Sequence, residues 1–311
     1  VGGRVLIALG GNAMTAPDGS ASPADQQRAI GEAMASVAAL SRAGHEVVLT
    51  HGNGPQVGNL LLKNQLAAHV VPPVPLDWCV AQTQGTIGTL VMNALQRELG
   101  HARVAAIVTR TLVDPADPAF QDPVKPIGRY FGEDEARRFE QHGQVWRRFD
   151  RGWRRVVASP RPVEILDAPA AVALIDAGFT VVAAGGGGVP VVRGADGTPA
   201  GIEAVIDKDL AAAALAVAVG ATDLVIATDV PYAAVDFGTP RARPIGEIDV
   251  AALRGLQAAG HFAGGSMGPK VEAALCFAEE TGGRAVITSL HHIGAALSGN
   301  IGTRVYRGVE R

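Results

Sequence analysis

Hydrophobic and polar positions follow two regimes along this chain. Short, nearly continuous apolar runs, among them RVLIAL (4–9), EVVLT (46–50), RVAAIVT (103–109), DLVIATD (223–229) and RAVITS (284–289), alternate with longer stretches of mixed character. A short continuous run reads as a strand buried on both faces. In the longer stretches apolar residues recur at helical spacing, as at Ile30, Met34, Val37 and Leu40 within 22–44. Ser22 can cap that helix, Pro23 suits its first position and Gly44 can end it. Further helices are predicted at 55–68, at 77–100 despite Gly85 and Gly88, and at 168–178, 208–220 and 268–282. A strand at 179–188 runs into four glycines. Strand alternating with helix predicts an α/β fold: a mainly parallel sheet with helices on both faces.

One segment breaks the rhythm. Residues 114–167 are rich in Pro and Arg and carry Trp146 and Trp153. That is too long for a plain loop within a compact domain, so an inserted subdomain is expected, either a surface embellishment or a lid over a site.

Composition narrows the class. With 48% apolar and 18% charged residues in 311, the chain can bury a large core, as one large α/β domain or two modest ones. A net charge of −3 without a basic block gives a nucleic-acid partner little electrostatic support. Cys79 and Cys276 form no Cys-x-x-Cys pair and read as buried thiols. The opening VGGRVLIALGGNAM is too short for a signal peptide or a membrane span, so a cytoplasmic protein without membrane contact is expected.

Glycines carry the first chemical signal. Turns at GGN (10–12), HGNG (51–54) and GGGG (185–188) follow apolar runs, and GGSMGP (264–269) precedes a helix. In parallel α/β sheets such turns lie at the carboxyl ends of strands, the edge where ligands bind. Backbone N–H groups and helix N-termini there favour an anion such as a polyphosphate or an acyl phosphate. The chain has no G-x-x-x-x-G-K-S/T phosphate loop. GNGPQVG is one residue off the dinucleotide fingerprint, and no strand ending in an acidic residue follows at the required distance.

Phosphoryl transfer without a phosphate-loop lysine needs other cations, and lysine is scarce here. Lys208 in VIDKDLAA and Lys270 in GSMGPKVEAA each fall in the first turn of a predicted helix. A cation there opposes the helix dipole, and a bound phosphate reverses that penalty. Lys125 sits in VKPIG of the inserted segment, and Asp209 is a candidate to hold both Lys208 and Lys270 by charge-assisted hydrogen bonds, or else a simple carboxylate at a helix N-terminus. His291 and His292 have no partner spaced for a metal and read as structural, while His51 beside its glycine turn stays open. No metal-ligating set is identified. No G-x-S-x-G or paired carboxylate points to hydrolysis.

Together, ALGGNA, HGNGPQVGNLLL, TQGTIG, VDPADPAF, KPIG, RGWRRVVASPRP, GGGGVPVV, EAVIDKDLA, GHFAGGSMGPKVEAA and AVITSL resemble, in order and over essentially the whole chain, the motifs of carbamate kinases in the amino acid kinase superfamily. The resemblance implies a three-layer αβα sandwich with an open, mainly parallel sheet of about eight strands and an inserted lid. It divides the single domain (1–311) into an N-terminal lobe with the carbamate and phosphoryl site (1–217), a lid (114–167) and a C-terminal nucleotide lobe (218–311). It implies a homodimer and the reversible reaction ATP + carbamate = ADP + carbamoyl phosphate with Mg²⁺, used to make ATP in arginine or related carbamoyl catabolism. It further implies that Gly10, Gly11, Asn12, Gly52, Asn53 and Gly54 cradle the substrate. Lys208, Lys270, Asp209 and the lid's Lys125 are the implied catalytic set. The nucleotide is expected near Thr228, Asp229, Val230, Tyr232, Met267 and Gly268. The alternative is a related enzyme of this fold that phosphorylates another small carboxylate.

Overall fold

Along the first strand, β1 (Arg4–Leu9), side chains alternate between two cores. Val5, Ile7 and Leu9 face one, Leu6 and Ala8 the other, all with no exposed surface. A strand sandwiched this way cannot show a polar face, which is why its sequence is continuously apolar. The computed structural model describes residues 2–11, 22–100, 102–141, 143–262, 267–299 and 301–308.

The strands after β1 are β2 (Glu46–His51), β3 (Val104–Ala106), β4 (Arg110–Val113), β5 (Lys125–Phe131), β6 (Val145–Phe149), β7 (Gly152–Val157), β8 (Pro162–Ile165) and β9 (Thr180–Val182). The chain continues through β10 (Val189–Arg193), β11 (Pro199–Gly201), β12 (Asp223–Thr228), β13 (Ala234–Val235), β14 (Arg243–Pro244), β15 (Glu247–Asp249), β16 (Arg284–Ser289) and β17 (Thr303–Tyr306). The helices are α1 (Pro23–Arg42), α2 (Gly54–Ala67), α3 (Leu76–Leu99), α4 (Glu133–Glu140), α5 (Ala168–Asp176), α6 (Lys208–Ala218), α7 (Val250–Ala258), α8 (Met267–Thr281) and α9 (Ile293–Leu297).

Among the described residues, eight strands form the central sheet in the order β15-β17-β16-β12-β1-β2-β9-β3. All its pairings are parallel except β16 with β17. Helices α1, α3 and α9 pack on one face, and α5, α6, α7 and α8 on the other. This is the α/β three-layer architecture that the sequence pattern predicts. From β1 the chain builds outward both ways, to β2 on one side and β12 on the other. The crevice at the carboxyl ends of β1, β2 and β12 is therefore the switch point where such sheets bind ligands.

Two differences from the sequence reading have local causes. The apolar run at 103–109 yields only the three residues of β3. The Gln84 side chain takes the Thr109 backbone N–H at 2.7 Å and donates to its carbonyl at 3.2 Å, which diverts the chain into β4 of another sheet. The run at 179–188 likewise ends early, because Ala184 turns left-handed (φ 51°) and starts a short 3₁₀ turn at Gly185–Gly187. Gly88 is tolerated within α3 for a packing reason: a Cβ there would lie 2.7 Å from the Ala106 methyl.

The segment 114–167 divides in two. Strands β5, β7 and β6 form their own antiparallel sheet, with α4 against it, while β8 joins β4, β10 and β11. Phe131, Phe139 and Trp146 meet at centroid distances of 5.3–5.7 Å within this small unit. Ile127 and Val157 at its base pack with Val57 and Leu61 of α2 and Leu76, Cys79 and Val80 of α3. Gly58 and Gly128 approach closely: a Cβ on Gly58 would lie 3.2 Å from the Gly128 Cα.

Candidate active site

Helix α6 begins at Lys208 and α8 at Met267, so both helices open a lysine-bearing first turn toward the switch point. Asp207 is the N-cap of α6. Its Oδ1 accepts from the backbone N–H groups of Asp209 at 2.9 Å and Leu210 at 3.4 Å, satisfying donors that a helix start leaves open. Asp209 then bridges two cations: Lys208 Nζ lies 2.5 Å from its Oδ1 and Lys270 Nζ 3.0 Å from its Oδ2. The Asp209 side chain is 4% exposed and Lys270 7%, so these charges sit largely out of water. Burial by itself raises the Asp209 carboxyl. The charges and hydrogen bonds of Lys208 and Lys270 overcome it and hold the carboxylate below its ordinary range.

Two ammonium groups on one carboxylate leave an excess positive charge between two helix N-termini. Removing charge from water is expensive unless it is balanced, so the cluster is built for an anion.

The glycine turns close around it. A Cβ on Gly52 would lie 3.4 Å from Lys208 Cδ and 3.7 Å from the Gly11 backbone nitrogen. Gly52 N–H donates to the Leu9 carbonyl, tying the β2 turn to β1. Gly10 sits against β12, where a Cβ would come within 2.8 Å of the Ala227 carbonyl oxygen and 3.7 Å of the Thr228 Cα. Gly54 opens α2 and is exposed. The buried Asn53 amide donates to the Thr83 hydroxyl at 2.9 Å. Gly186, with φ 67°, lies so close that a Cβ there would meet Asn53 Nδ2 at 2.0 Å. The four-glycine turn thus supplies room for Asn53 and for His51, whose ring would collide with a Cβ on Gly185 at 2.3 Å.

His51 is buried, and burial drives its imidazole down to about 4; the Lys208 charge adds to this while a hydrogen bond to the Gly52 carbonyl opposes it. The ring is therefore neutral at neutral pH, donating from Nδ1 to Gly52 O.

Lys125, the first residue of β5, reaches the same place from the small sheet. Its Nζ lies 2.7 Å from Asp207 Oδ2. The residues assigned to the nucleotide spread along the neighbouring edge. Thr228 ends β12 and donates to the Asp229 carboxylate, with Val230 and the half-buried Tyr232 beyond. Met267 and Gly268 open α8, where Gly268 leaves no room for a side chain beside the Phe262 carbonyl. The structure brings Gly11, Gly52, Lys125, Lys208, Asp209 and Lys270 together. Asn12 and residues 264–266 of the GGSMGP turn lie outside the described residues.

Asp207 stands beside Lys208 in VIDKDLAA, and sequence reasoning gave it no role. The available signal was an Asp directly ahead of a predicted helix start, an N-cap position. Sequence reasoning also missed Arg161, which follows β7 and donates to Glu272 of α8 at 3.0 Å. Nothing local in the sequence relates those two positions.

Among the described residues no group of three or more His, Cys, Asp or Glu side chains could hold a metal ion. No described helix is long and apolar enough to cross a membrane.

Comparison with known proteins agrees with this geometry. The model of the amino acid kinase family matches residues 3–289. Carbamate kinase 1 of Enterococcus faecium is 45% identical over 314 residues, spanning 98% of this chain and 99% of its own length. The carbamate kinase of Pyrococcus furiosus is 44% identical over 313 residues, with 98% and 99% covered. A solved structure of carbamate kinase from Giardia lamblia bound to AMP-PNP superposes with a TM-score of 0.93 at 42% identity, covering 98% of this chain and 99% of that one. Matched by the family model over most of its length, and by relatives of this identity over nearly all of it, the chain belongs to the amino acid kinase family, on its carbamate kinase branch.

Proposed function

We propose that this chain catalyses ATP + carbamate = ADP + carbamoyl phosphate, reversibly, as an ATP:carbamate phosphotransferase. The observation that carries the reading is Asp209 bridging Lys208 and Lys270 at two helix N-termini beside Gly52 and Gly11. Carbamate is already an anion, so its oxygen attacks the γ-phosphorus without a general base. Catalysis is then alignment and charge neutralisation. In the synthetic direction the new bond joins a carbamate oxygen to the γ-phosphorus as the bond to the β–γ bridging oxygen breaks, and ADP leaves with that electron pair. A neutral His51 suits a site in which no proton has to move.

In this reading Gly10, Gly11, Asn12, Asn53 and Gly54 surround carbamate and the transferring group with N–H donors, while Gly52, whose own N–H is held by the Leu9 carbonyl, lines the site by leaving room beside Lys208 and Gly11. Lys208 and Lys270 neutralise its oxygens, Asp209 orients both lysines and Lys125 approaches from the lid. The nucleotide lies near Thr228, Asp229, Val230, Tyr232, Met267 and Gly268, in a C-terminal lobe of 218–311 facing a carbamate lobe of 1–217, with 114–167 as the lid. A structural relative bound to AMP-PNP supports ATP or ADP as the partner nucleotide. Asp207 and Asp209 are both engaged by lysines, so the donor set fits a Mg²⁺ held mainly by nucleotide phosphates and water. Bound there, the metal supplies charge neutralisation for the phosphates. A cytoplasmic homodimer working toward ATP in carbamoyl catabolism completes the proposal.

The test is ATP formation from carbamoyl phosphate and MgADP, wild type beside Lys270→Ala. The expected result is fast synthesis by the wild type and a loss of about 100- to 1,000-fold in kcat for the variant. No ATP from the wild type, with turnover of another acyl phosphate such as acetyl phosphate, would overturn carbamate as substrate. An unimpaired Lys270→Ala would keep the reaction and refute the role of that lysine.

A further inference from the structure

The Asp207 carboxylate divides its two oxygens between separate elements. Oδ1 caps α6 through the N–H groups of Asp209 and Leu210, and Oδ2 holds Lys125 of β5 at 2.7 Å. Capping alone does not require a charge, since Asn caps a helix as well as Asp. The charge is used by the lysine.

The surroundings extend the link. Lys125 pairs with Val157 across β5 and β7, so both stalks of the small sheet reach this point. Just beyond Val157, Ala158 accepts from the Val205 N–H at 3.0 Å and forms a bridge with Ala204. Arg155 of β7, 10% exposed, donates to Glu203. Both stalks therefore attach to residues 203–207, the stretch that runs directly into Lys208. These contacts join the small sheet to the N-terminus of α6, and Asp207 touches both a cation of the sheet and the backbone of the helix.

Resting on the carbamate kinase reading, we propose that Asp207 is a positioning residue. It fixes the Lys125 ammonium beside the first turn of α6, so that the lid cation converges on the same phosphoryl group as Lys208 and Lys270. An ammonium has three N–H donors, and the bond to Asp207 leaves others for the anion. A free lysine visits many rotamers, and tethering it removes that freedom before the reaction begins.

The test compares wild type, Asp207→Asn, Lys125→Met and the double variant in ATP synthesis from carbamoyl phosphate and MgADP. Tryptic cleavage after the arginines of 125–157 is followed on the protein alone. Asp207→Asn keeps the cap and removes the charge. It is expected to lower kcat by about 10-fold, with KM for MgADP changed by less than about twofold. In the Lys125→Met background the same change is expected to have no further effect, and cleavage within 125–157 is expected to speed up in Asp207→Asn. Unchanged kcat and cleavage in Asp207→Asn would overturn the proposal. So would a full drop that persists without Lys125, since Asp207 would then act through α6 alone. Asp207→Ser, which also caps, replaces Asn if that variant does not fold. A wild type that makes no ATP defeats the carbamate kinase reading, and the cleavage rates still decide the link between Asp207 and Lys125.

Discussion

The strand-end cluster and the small sheet of 125–157 are held together by different physics. Around the cluster the backbone is buried and tightly packed. Strands β1, β2 and β12 carry apolar residues on both faces, and glycines fill spaces where even a methyl group collides. The small sheet is built from aromatic rings interleaved with arginines: Arg129 stacks 4.5 Å from Phe131, Arg137 5.0 Å from Trp153, and Arg151 and Arg154 both 5.1 Å from Tyr130. Its ion pairs are largely exposed, such as Arg137 with Glu133. Exposed pairs contribute little and rearrange readily, whereas a packed glycine turn has one arrangement. The first region is suited to holding Lys208, Asp209 and Lys270 in fixed register. The second is joined to the rest through Ile127, Val157 and the ion pairs of Lys125 and Arg155.

The largest expected effect comes from forcing the rigid region. Gly186→Ala adds a Cβ at φ 67° and 2.0 Å from Asn53 Nδ2, so Asn53 must leave Thr83 or the turn must open. Destabilisation of about 4 kcal/mol is expected in denaturant unfolding, with activity lost in parallel. A neutral result would mean that the four-glycine turn is looser than its packing indicates.

Breaking the small sheet should separate the two regions. Trp146 is 5% exposed and touches Phe131 and Phe139. Trp146→Ala is expected to destabilise the 125–157 unit by about 3 kcal/mol. Hydrogen exchange should rise there while amides of β1 and β12 keep their protection. Equal loss in both regions would show one cooperative unit rather than two.

The smallest effect is electrostatic and lies on α8, the helix that carries Lys270. Glu272 accepts from Arg161, Arg254 and Gln257. Burial pushes its carboxyl up, but hydrogen bonds from Gln257, Arg161 and Arg254 with the Arg254 charge bring it from 4.5 down to about 2. A depressed carboxyl binds fewer protons folded than unfolded, so its contribution is complete above 4.5 and fades as pH falls toward 2. Because the group is partly solvated, about 1 kcal/mol is expected. The difference in Tm between wild type and Glu272→Gln should shrink between pH 7 and pH 3; a constant difference would assign the effect to packing.

Most of the fold was legible because strands buried on both faces must be continuously apolar and helices with one buried stripe must repeat at their own period. The lysines were legible for a related reason: a cation in a helix's first turn is unfavourable unless something offsets it. The short β3 was not legible, since Gln84, distant in sequence, ends it by taking Thr109's backbone groups. Nor was the division of 114–167, because the pairing of β8 with β4 depends on partners outside the segment.

By itself, then, the sequence determined the α/β alternation, the glycine turns at strand ends and the helix starts bearing Lys208 and Lys270, all of which rest on local periodicity and local chemistry. Only the tertiary structure decided that Asp209 joins those two lysines, that the glycines at 185–188 make room for His51 and Asn53, and that Asp207 ties Lys125 to α6. Such pairings join residues far apart in the chain, and their geometry exists only once the sheet's parallel crossovers have brought the strand ends side by side.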